Sequence, residues 1–284
     1  MRLRIAVAGA SGTVGRRLTA LLSTDHEVLA LTRSPEQAAG LGVHGRLVRA
    51  DFARRDGLER VLEGADALFV ATFDPVRPCH DEHLAAAAGQ AGVRHVVKLS
   101  ALAVTDSGAQ DLITRWQREC ERIWQAAGPA WTFLRARAFM SNCLDWAGAI
   151  RAGEPVRTLY GDAPNACVDP ADLAEIAAHV LTGPGHGGRA YALTGPRAVS
   201  AREQVAQLAE LLGRPPRHES LTEEAALARW RARYPESVAR ALLESARRQD
   251  AGAKAAVTRD VERVTGRPAT PFEVWARANL DRFR

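Results

Sequence analysis

The sequence predicts a doubly wound α/β fold, an open parallel sheet with helices on both faces, joined to a smaller and mainly helical C-terminal lobe. Three observations carry this. Short apolar runs of strand length alternate with helical periodicity from Leu3 to Arg137. The first of these runs closes on three glycines spaced by three. From about Arg151 the pattern turns mostly helical. The expected division is 1–150 for the sheet domain and 151–284 for the smaller lobe, the latter partly contributing to the first domain.

The first strand is expected over Leu3–Ala8, apolar apart from Arg4. It leads into Gly9, Ala10, Ser11, Gly12, Thr13, Val14 and Gly15, and a helical pattern runs from Arg16 to Leu22. Strand, glycine turn and helix in that order suit a dinucleotide. Gly9 permits the sharp turn, Gly12 lets a pyrophosphate approach the backbone, and Gly15 lets the helix pack on the strand. Unpaired N–H groups and the positive end of the helix dipole then favour the phosphates, with the Ser11 and Thr13 hydroxyls beside them. The spacing is G-x-x-G-x-x-G, which resembles the short-chain dehydrogenase/reductase superfamily, in particular its extended and atypical branches.

The second strand, His26–Ser34, ends in Leu31-Thr32-Arg33-Ser34 without the acid that would accept from a ribose 2′-OH. Arg33 offers a planar donor fork to a 2′-phosphate, so NADP(H) is the expected cofactor. A solvated surface arginine is the plainer alternative.

Further strands are expected at Gly45–Asp51, Ala65–Thr72, Val93–Ala101 and Ala130–Arg137. Helices are expected between them, including Leu84–Ala91 and Leu112–Ala127. Ligands gather beyond the carboxyl ends of such strands. Those ends carry Asp51 and Phe52, Ala71, Thr72 and Phe73, Ser100, and Arg137. Asp51 could accept from an adenine amino group, with Phe52 against the ring, or it could cap the next helix.

The 284-residue chain is 46% hydrophobic and 25% charged, an ordinary globular composition. No run approaches the ~20 apolar residues of a membrane span, and the N-terminus lacks a signal-peptide layout, so a cytoplasmic protein is expected. The net charge is +5 and the pI about 9.4. The basic residues are interleaved with acids, so no nucleic-acid footprint stands out. Arginine outnumbers lysine so heavily that the usage looks like codon bias in a GC-rich genome. Cys79, Cys120, Cys143 and Cys167 form no C-x-x-C pair, and neither a disulfide framework nor a zinc site is indicated.

Several segments together resemble the NmrA-like family of NAD(P)-binding proteins. They are "AGASGTVGRRL", "LTRSP", Ala50-Asp51, "AGVRHVVKLSALAV", "WTFLRARAFMSN", "VDPADLAEIAAHVLT", "GRAYALTGP", "LLGRPP" and "VTGRPATPFEVWARANLDRF". The resemblance implies a Rossmann lobe, a smaller lobe covering the nicotinamide end, and NADP(H) or NAD(H) as ligand.

Short-chain reductases of the best-known type pair a Ser with a Tyr and a Lys four residues later. Ser100 sits where that serine would, either to orient substrate or to make a strand-end hydrogen bond. The helix that should carry the dyad reads "DLITRWQRECERIWQAAG", with Trp116 and Gln117 in its middle. Three readings follow. The chain reduces a small, aromatic or quinone-like substrate with an unusual proton source. Or it senses the cofactor without turnover, as the namesake regulator of the family does. Or, as the resemblance to relatives in bacterial polyketide pathways implies, it serves another biosynthetic reaction such as aromatic coupling.

His80, after the fourth strand, is the best candidate acid. The plainer view is that Pro78–Glu82 opens a helix with a solvated first turn. His80 and His83 could ligate a metal but lack an evident third ligand, so none is expected. Trp116, Phe139 and Met140, with Trp146, Trp230 and Tyr234, are candidates for a substrate wall or for core. In the second lobe, Gly188–Gly195 reads as a short strand and Asp172 as an N-cap. Ser200, Glu203 and Gly213 read as a capping box with a closing glycine. The amphipathic helices after Leu221 could roof a pocket or meet a partner subunit in a homodimer.

Overall fold

The computed structural model describes residues 2–76, 79–213 and 216–284. Nine strands are present among them: β1 (Arg4–Ala8), β2 (Glu27–Thr32), β3 (Arg46–Arg49), β4 (Ala67–Val70), β5 (His95–Ala101), β6 (Ala130–Ala136), β7 (Val156–Thr158), β8 (Arg189–Leu193) and β9 (His218–Ser220). Two compact units divide the chain, and it passes between them several times. The first holds the residues through Val104, then Thr114–Ala136 and Ala171–Ala192. The second holds Thr105–Ile113, Arg137–Pro170 and Leu193–Arg284.

The first unit is built on a seven-stranded sheet in the order β3-β2-β1-β4-β5-β6-β8. Strands β1 to β6 pair in parallel, with Ala8 opposite both Leu31 and Val70. A central parallel strand is covered on both faces, and Ile5, Ala6, Val7 and Ala8 are each fully buried. Connections leave β1 toward β2 on one side and enter β4 on the other. The strand order therefore reverses between β1 and β4, the place where open α/β sheets bind ligands. The core beneath it is apolar, with Leu29, Leu31, Leu68, Val70, Val96, Trp124 and Phe133 among its members.

The strands follow the sequence expectation but are mostly trimmed at their ends, so Asp51 and the run Ala71–Phe73 lie in the loops beyond β3 and β4. The expected helix at Leu84–Ala91 starts earlier and spans Cys79–Gln90. Pro78, the expected opener of that helix, lies outside the described residues. The strand expected in the second lobe is β8, which instead completes the sheet of the first unit. Its apolar pattern reveals a strand but not its neighbour. Asp172 is not an N-cap. The helix spans Pro170–Thr182, with Pro170 at its first position, and Asp172 lies within the first turn, fully buried.

In the second unit β7 and β9 form a two-stranded parallel pair, each strand three residues long and too short to show in the sequence pattern. The expected capping box is present. Ser200 Oγ accepts from Glu203 N at 3.2 Å, Glu203 Oε2 accepts from Ser200 N at 2.7 Å, and Gly213 closes the helix at φ 66°. Met140, Val205, Leu208, Phe272, Trp275 and Phe283 anchor a separate core. Among the described residues, no helix is long and apolar enough to cross a membrane.

Candidate functional site

The glycine turn lies at the carboxyl end of β1. Gly9 adopts φ +90°, and a Cβ there would stand 2.5 Å from the Ala71 carbonyl oxygen. A Cβ on Gly15 would stand 2.1 Å from the Gly9 carbonyl oxygen, so the helix Thr13–Leu22 could not sit this close to β1 with any other residue. Gly12 differs. It lies at φ −75° and its Cβ would meet only the Gly9 oxygen, at 3.2 Å. Its cost would fall on whatever approaches from outside. Ser11 is exposed, Thr13 half-buried, and Ala10 and Val14 are buried, so the latter two can offer only backbone. The ten-residue helix has no acid in its first turn and no side-chain cap on its leading N–H groups. This cradle fits a dinucleotide pyrophosphate.

Arg33 is exposed just past β2, and its carbonyl accepts from Arg49 Nη1 at 2.8 Å. Its guanidinium has no carboxylate partner among the described residues. Arg16, which the sequence reading passed over, has a buried Nε without a partner. An unpaired buried guanidinium N–H is costly and fits an anion that arrives with the cofactor. Asp51 Oδ1 accepts from Ala53 N at 3.1 Å and so closes a local turn rather than capping the next helix, which starts at Leu58 behind Gly57, and its residue stays exposed. Phe52 packs on the core, and its ring meets His80 edge-on at 6.3 Å.

Beyond β4, the Thr72 side chain is committed inward. Its hydroxyl accepts from Lys98 Nζ at 2.7 Å and donates to Asp81. Asp81 also pairs with Lys98 at 2.9 Å and accepts from Trp124 Nε1 at 2.8 Å. Burial pushes the Asp81 carboxyl up, but the Lys98 charge and the three hydrogen bonds outweigh it and hold the group below the usual carboxylate range. Lys98 Nζ lies 5.5 Å from the Trp116 ring, against which Phe73 packs edge-on at 5.5 Å. Trp116 Nε1 and Gln117 Oε1 are buried without partners. Sequence reasoning missed Lys98, whose only signal was a lysine inside an apolar strand.

Ser100 is 4% exposed and donates to Glu121 Oε1 at 2.7 Å, where Arg135 also binds Glu121 through two nitrogens. Its proton is thus engaged in a buried hydrogen bond. His80 lies at the start of its helix with Nε2 3.7 Å from Asp74 Oδ2. The ligand atoms of Asp74, Cys79 and His80 lie within 4.8 Å of one another, a grouping the sequence reading did not make. His83 instead turns away, its Nδ1 2.9 Å from the Phe52 carbonyl oxygen.

The other expected residues fall in the second unit. Arg137 donates its backbone N–H to Leu193 O at 2.9 Å, its Nε is buried and unpaired, and burial lowers its guanidinium below the usual range. Phe139, Trp146 and Trp230 line a cavity of about 370 Å³. Met140 does not. It is 2% exposed in the second core, so it packs rather than binds. Tyr234 is exposed beside Arg233. Trp116 belongs to the first unit.

The family model described as NAD(P)H-binding matches residues 9–184. The chain belongs to the NAD(P)H-binding family. It is 50% identical over 279 residues to the (4-alkanoyl-5-oxo-2,5-dihydrofuran-3-yl)methyl phosphate reductase of Streptomyces griseus subsp. griseus, covering 98% of this chain and 99% of the relative. It is 36% identical to the NAD(P)H azoreductase of Xenophilus azovorans, over 98% of this chain and 99% of that one. An Escherichia coli NADPH-dependent quinone oxidoreductase, solved with NADPH, shares 25% identity at a TM-score of 0.81, over 98% and 99% of the two chains. This NAD(P)H-binding protein is accordingly an oxidoreductase with NADP(H) as its cofactor, and the NmrA-like resemblance stands. The glycine cradle and the unpaired Arg16 and Arg33 would hold that cofactor. It would supply hydride.

Proposed function

We propose that this chain is an NADPH-dependent reductase of a doubly activated carbon–carbon double bond, with a (4-alkanoyl-5-oxo-2,5-dihydrofuran-3-yl)methyl phosphate or a close analogue as substrate. The observation that carries this reading is the 50% identity, over nearly the whole of both chains, to the reductase of that phosphate.

The side chains support the same chemistry. The chain holds two lysines and three tyrosines. Lys98 is fixed on Asp81, Tyr191 on His186, and Tyr160 on Glu223. A Tyr/Lys acid serves ketone reduction because hydride addition to a carbonyl leaves a strongly basic alkoxide. The furanone needs less help. Its C3=C4 bond is conjugated at C4 to both the lactone and the alkanoyl carbonyls. Hydride adds to C3, the C3=C4 pair moves to C4, and the charge spreads over two oxygens as an enolate. A proton from solvent then completes C4, the hydride at C3 being the one that bound NADPH would supply. Quinones and azo groups likewise accept hydride to give delocalised anions, so an aromatic or quinone-like acceptor belongs to the same reading.

The test is loss of NADPH absorbance with the furanone phosphate, followed by product analysis. Steady consumption with the ring bond saturated and the alkanoyl ketone intact is expected. Tight NADPH binding without turnover on furanones, enones or quinones would favour the sensor reading, which draws on the same missing dyad.

A further inference from the structure

The cavity in the second unit lies wholly among residues of that unit, from Ala138 to Lys254. Its walls are of two kinds. Phe139, Trp146, Leu221, Trp230 and Leu242 supply apolar surface. Four cations face one carboxylate, the cations being Arg157, Arg229, Arg233 and Lys254 and the acid Asp145. Two of the four are already matched. Arg157 pairs with Glu219 at 2.9 Å and Arg233 with Asp145 at 3.1 Å. The remaining two form no ion pair with a carboxylate among the described residues. Arg229 reaches only the Arg157 carbonyl, at 3.4 Å, and Lys254 Nζ donates only to Ser245 Oγ, at 2.8 Å.

Lys254 is held there by its backbone, whose carbonyl accepts from Ala166 N at 3.0 Å. A part-buried ammonium bonded to a hydroxyl, with the Asp111 charge acting on it only through space, has less than the direct pairing that buried charges normally have. Two unmatched cations correspond to one phosphate monoester, which carries about −1.5 to −2 at neutral pH. The adjoining aromatic and leucine wall suits an alkyl chain.

We infer that this cavity is the recognition site for the anionic and acyl ends of the substrate, with Lys254 binding a phosphate monoester, Arg229 assisting from the exposed side, and the Phe139–Trp230 wall receiving the alkyl chain. This inference rests on the furanone phosphate reading and names the residues that would select that substrate.

The electrostatics give it a pH signature. Burial lowers the Lys254 ammonium to about 8, aided by the positive charge of Arg137 and more weakly by Arg248, while Cys167 and Asp111 act in the opposite sense. Arg248 is itself paired with Asp106. Burial raises the Cys167 thiol to about 11, so that group stays neutral through the relevant range. The anion site therefore loses its charge above pH about 8, whereas the phosphate keeps both of its own.

The experiment uses the intact chain and hexyl phosphate as probe, with hexanol as its uncharged counterpart, in titration calorimetry. Hexyl phosphate should bind at least about tenfold more tightly than hexanol, within the ~10- to 150-fold range of a charge-assisted contact. Lys254→Met should remove most of that difference and leave hexanol unchanged. Lys254→Arg should keep it within about threefold. With turnover, Lys254→Met should raise KM for the furanone phosphate and spare kcat, while the dephosphorylated furanone alcohol is unaffected. If Lys254→Met fails to fold, the unaltered protein still decides the matter: its affinity for hexyl phosphate must fall above pH about 8 while that for hexanol stays level. A folded Lys254→Met with unchanged hexyl phosphate affinity, equal binding of both probes, or a flat pH profile overturns the inference. Discrimination of the probes without furanone turnover leaves the subsite standing and removes the proposed reaction. Furanone turnover without discrimination does the reverse.

Discussion

Lys98 Nζ lies 2.9 Å from Asp81 Oδ1, with the two side chains 0% and 1% exposed. The pair joins β5 to the helix Cys79–Gln90 directly behind Thr72, at the carboxyl end of β4. Removing one partner leaves the other charge buried, which costs about 3–5 kcal/mol. Asp81→Asn should therefore lower unfolding stability by that amount in urea. The pH sign follows from the depressed Asp81 carboxyl. Its contribution is fully present above the unfolded value of ~3.9 and is lost as pH falls through the lower folded value. The gap between wild type and Asp81→Asn should close only in strong acid. A gap that stays constant there would point to packing rather than charge.

The three glycines of the turn should separate binding from folding. Gly12→Val adds bulk on the outer side at a permitted φ of −75°, so circular dichroism should stay native while NADPH affinity drops by more than about 100-fold, the loss of two or more phosphate contacts. Gly15→Ala drives a methyl to 2.1 Å from the Gly9 carbonyl oxygen, so it should cost about 1–3 kcal/mol of stability as an overpacked contact. If Gly12→Val binds NADPH normally, the cradle holds something else.

Arg33 should set the preference between cofactors. Its exposed guanidinium lacks a carboxylate partner among the described residues, and a charge-assisted bond to the 2′-phosphate is worth ~10- to 150-fold in affinity. Titrations should show NADPH tighter than NADH by about that ratio, with Arg33→Ala closing most of the gap by weakening NADPH alone. The buried, unpaired Nε of Arg16 makes a residual preference in Arg33→Ala informative, since Arg16→Ala should then remove it. Equal affinities in the unaltered protein would exclude both arginines from this role.

Features encoded by neighbouring residues were the ones a single sequence revealed. The runs that became β1 to β6, the glycine turn and the Ser200–Glu203 capping box each lie within a dozen residues, and local pattern specifies them. What failed to show depends on contacts between distant positions. Nothing in "VVKLS" says that Lys98 meets Asp81 seventeen positions earlier, nor that Lys254 will face Trp230 and Phe139 across a cavity. Met140 and Phe139 are adjacent and equally apolar, yet one is core and the other lines that cavity. Their difference is one of direction, set by the Met140 N–H to Val168 O bond at 3.0 Å and the packing around it.

His80 tests whether the protein has to supply a proton at all. Its Nε2 lies 3.7 Å from Asp74 and its ring stands edge-on to Phe52, so it is a half-buried imidazole beyond β4. A general acid contributes about 10²–10⁴ in rate when the reduced product is a strong base. A furanone reduced at C3 leaves a charge shared by two carbonyls, for which solvent is an adequate acid. His80→Ala should then lower kcat on the furanone phosphate by less than about tenfold. If the same enzyme accepts a simple ketone, where an alkoxide must be quenched, His80→Ala should cost about 10²-fold or more there. The pair of measurements in single-turnover mode, with NADPH affinity checked to be unchanged, distinguishes the cases. A loss of 10²-fold or more on the furanone would make His80 the acid and remove the argument that delocalisation replaces the missing Tyr/Lys dyad.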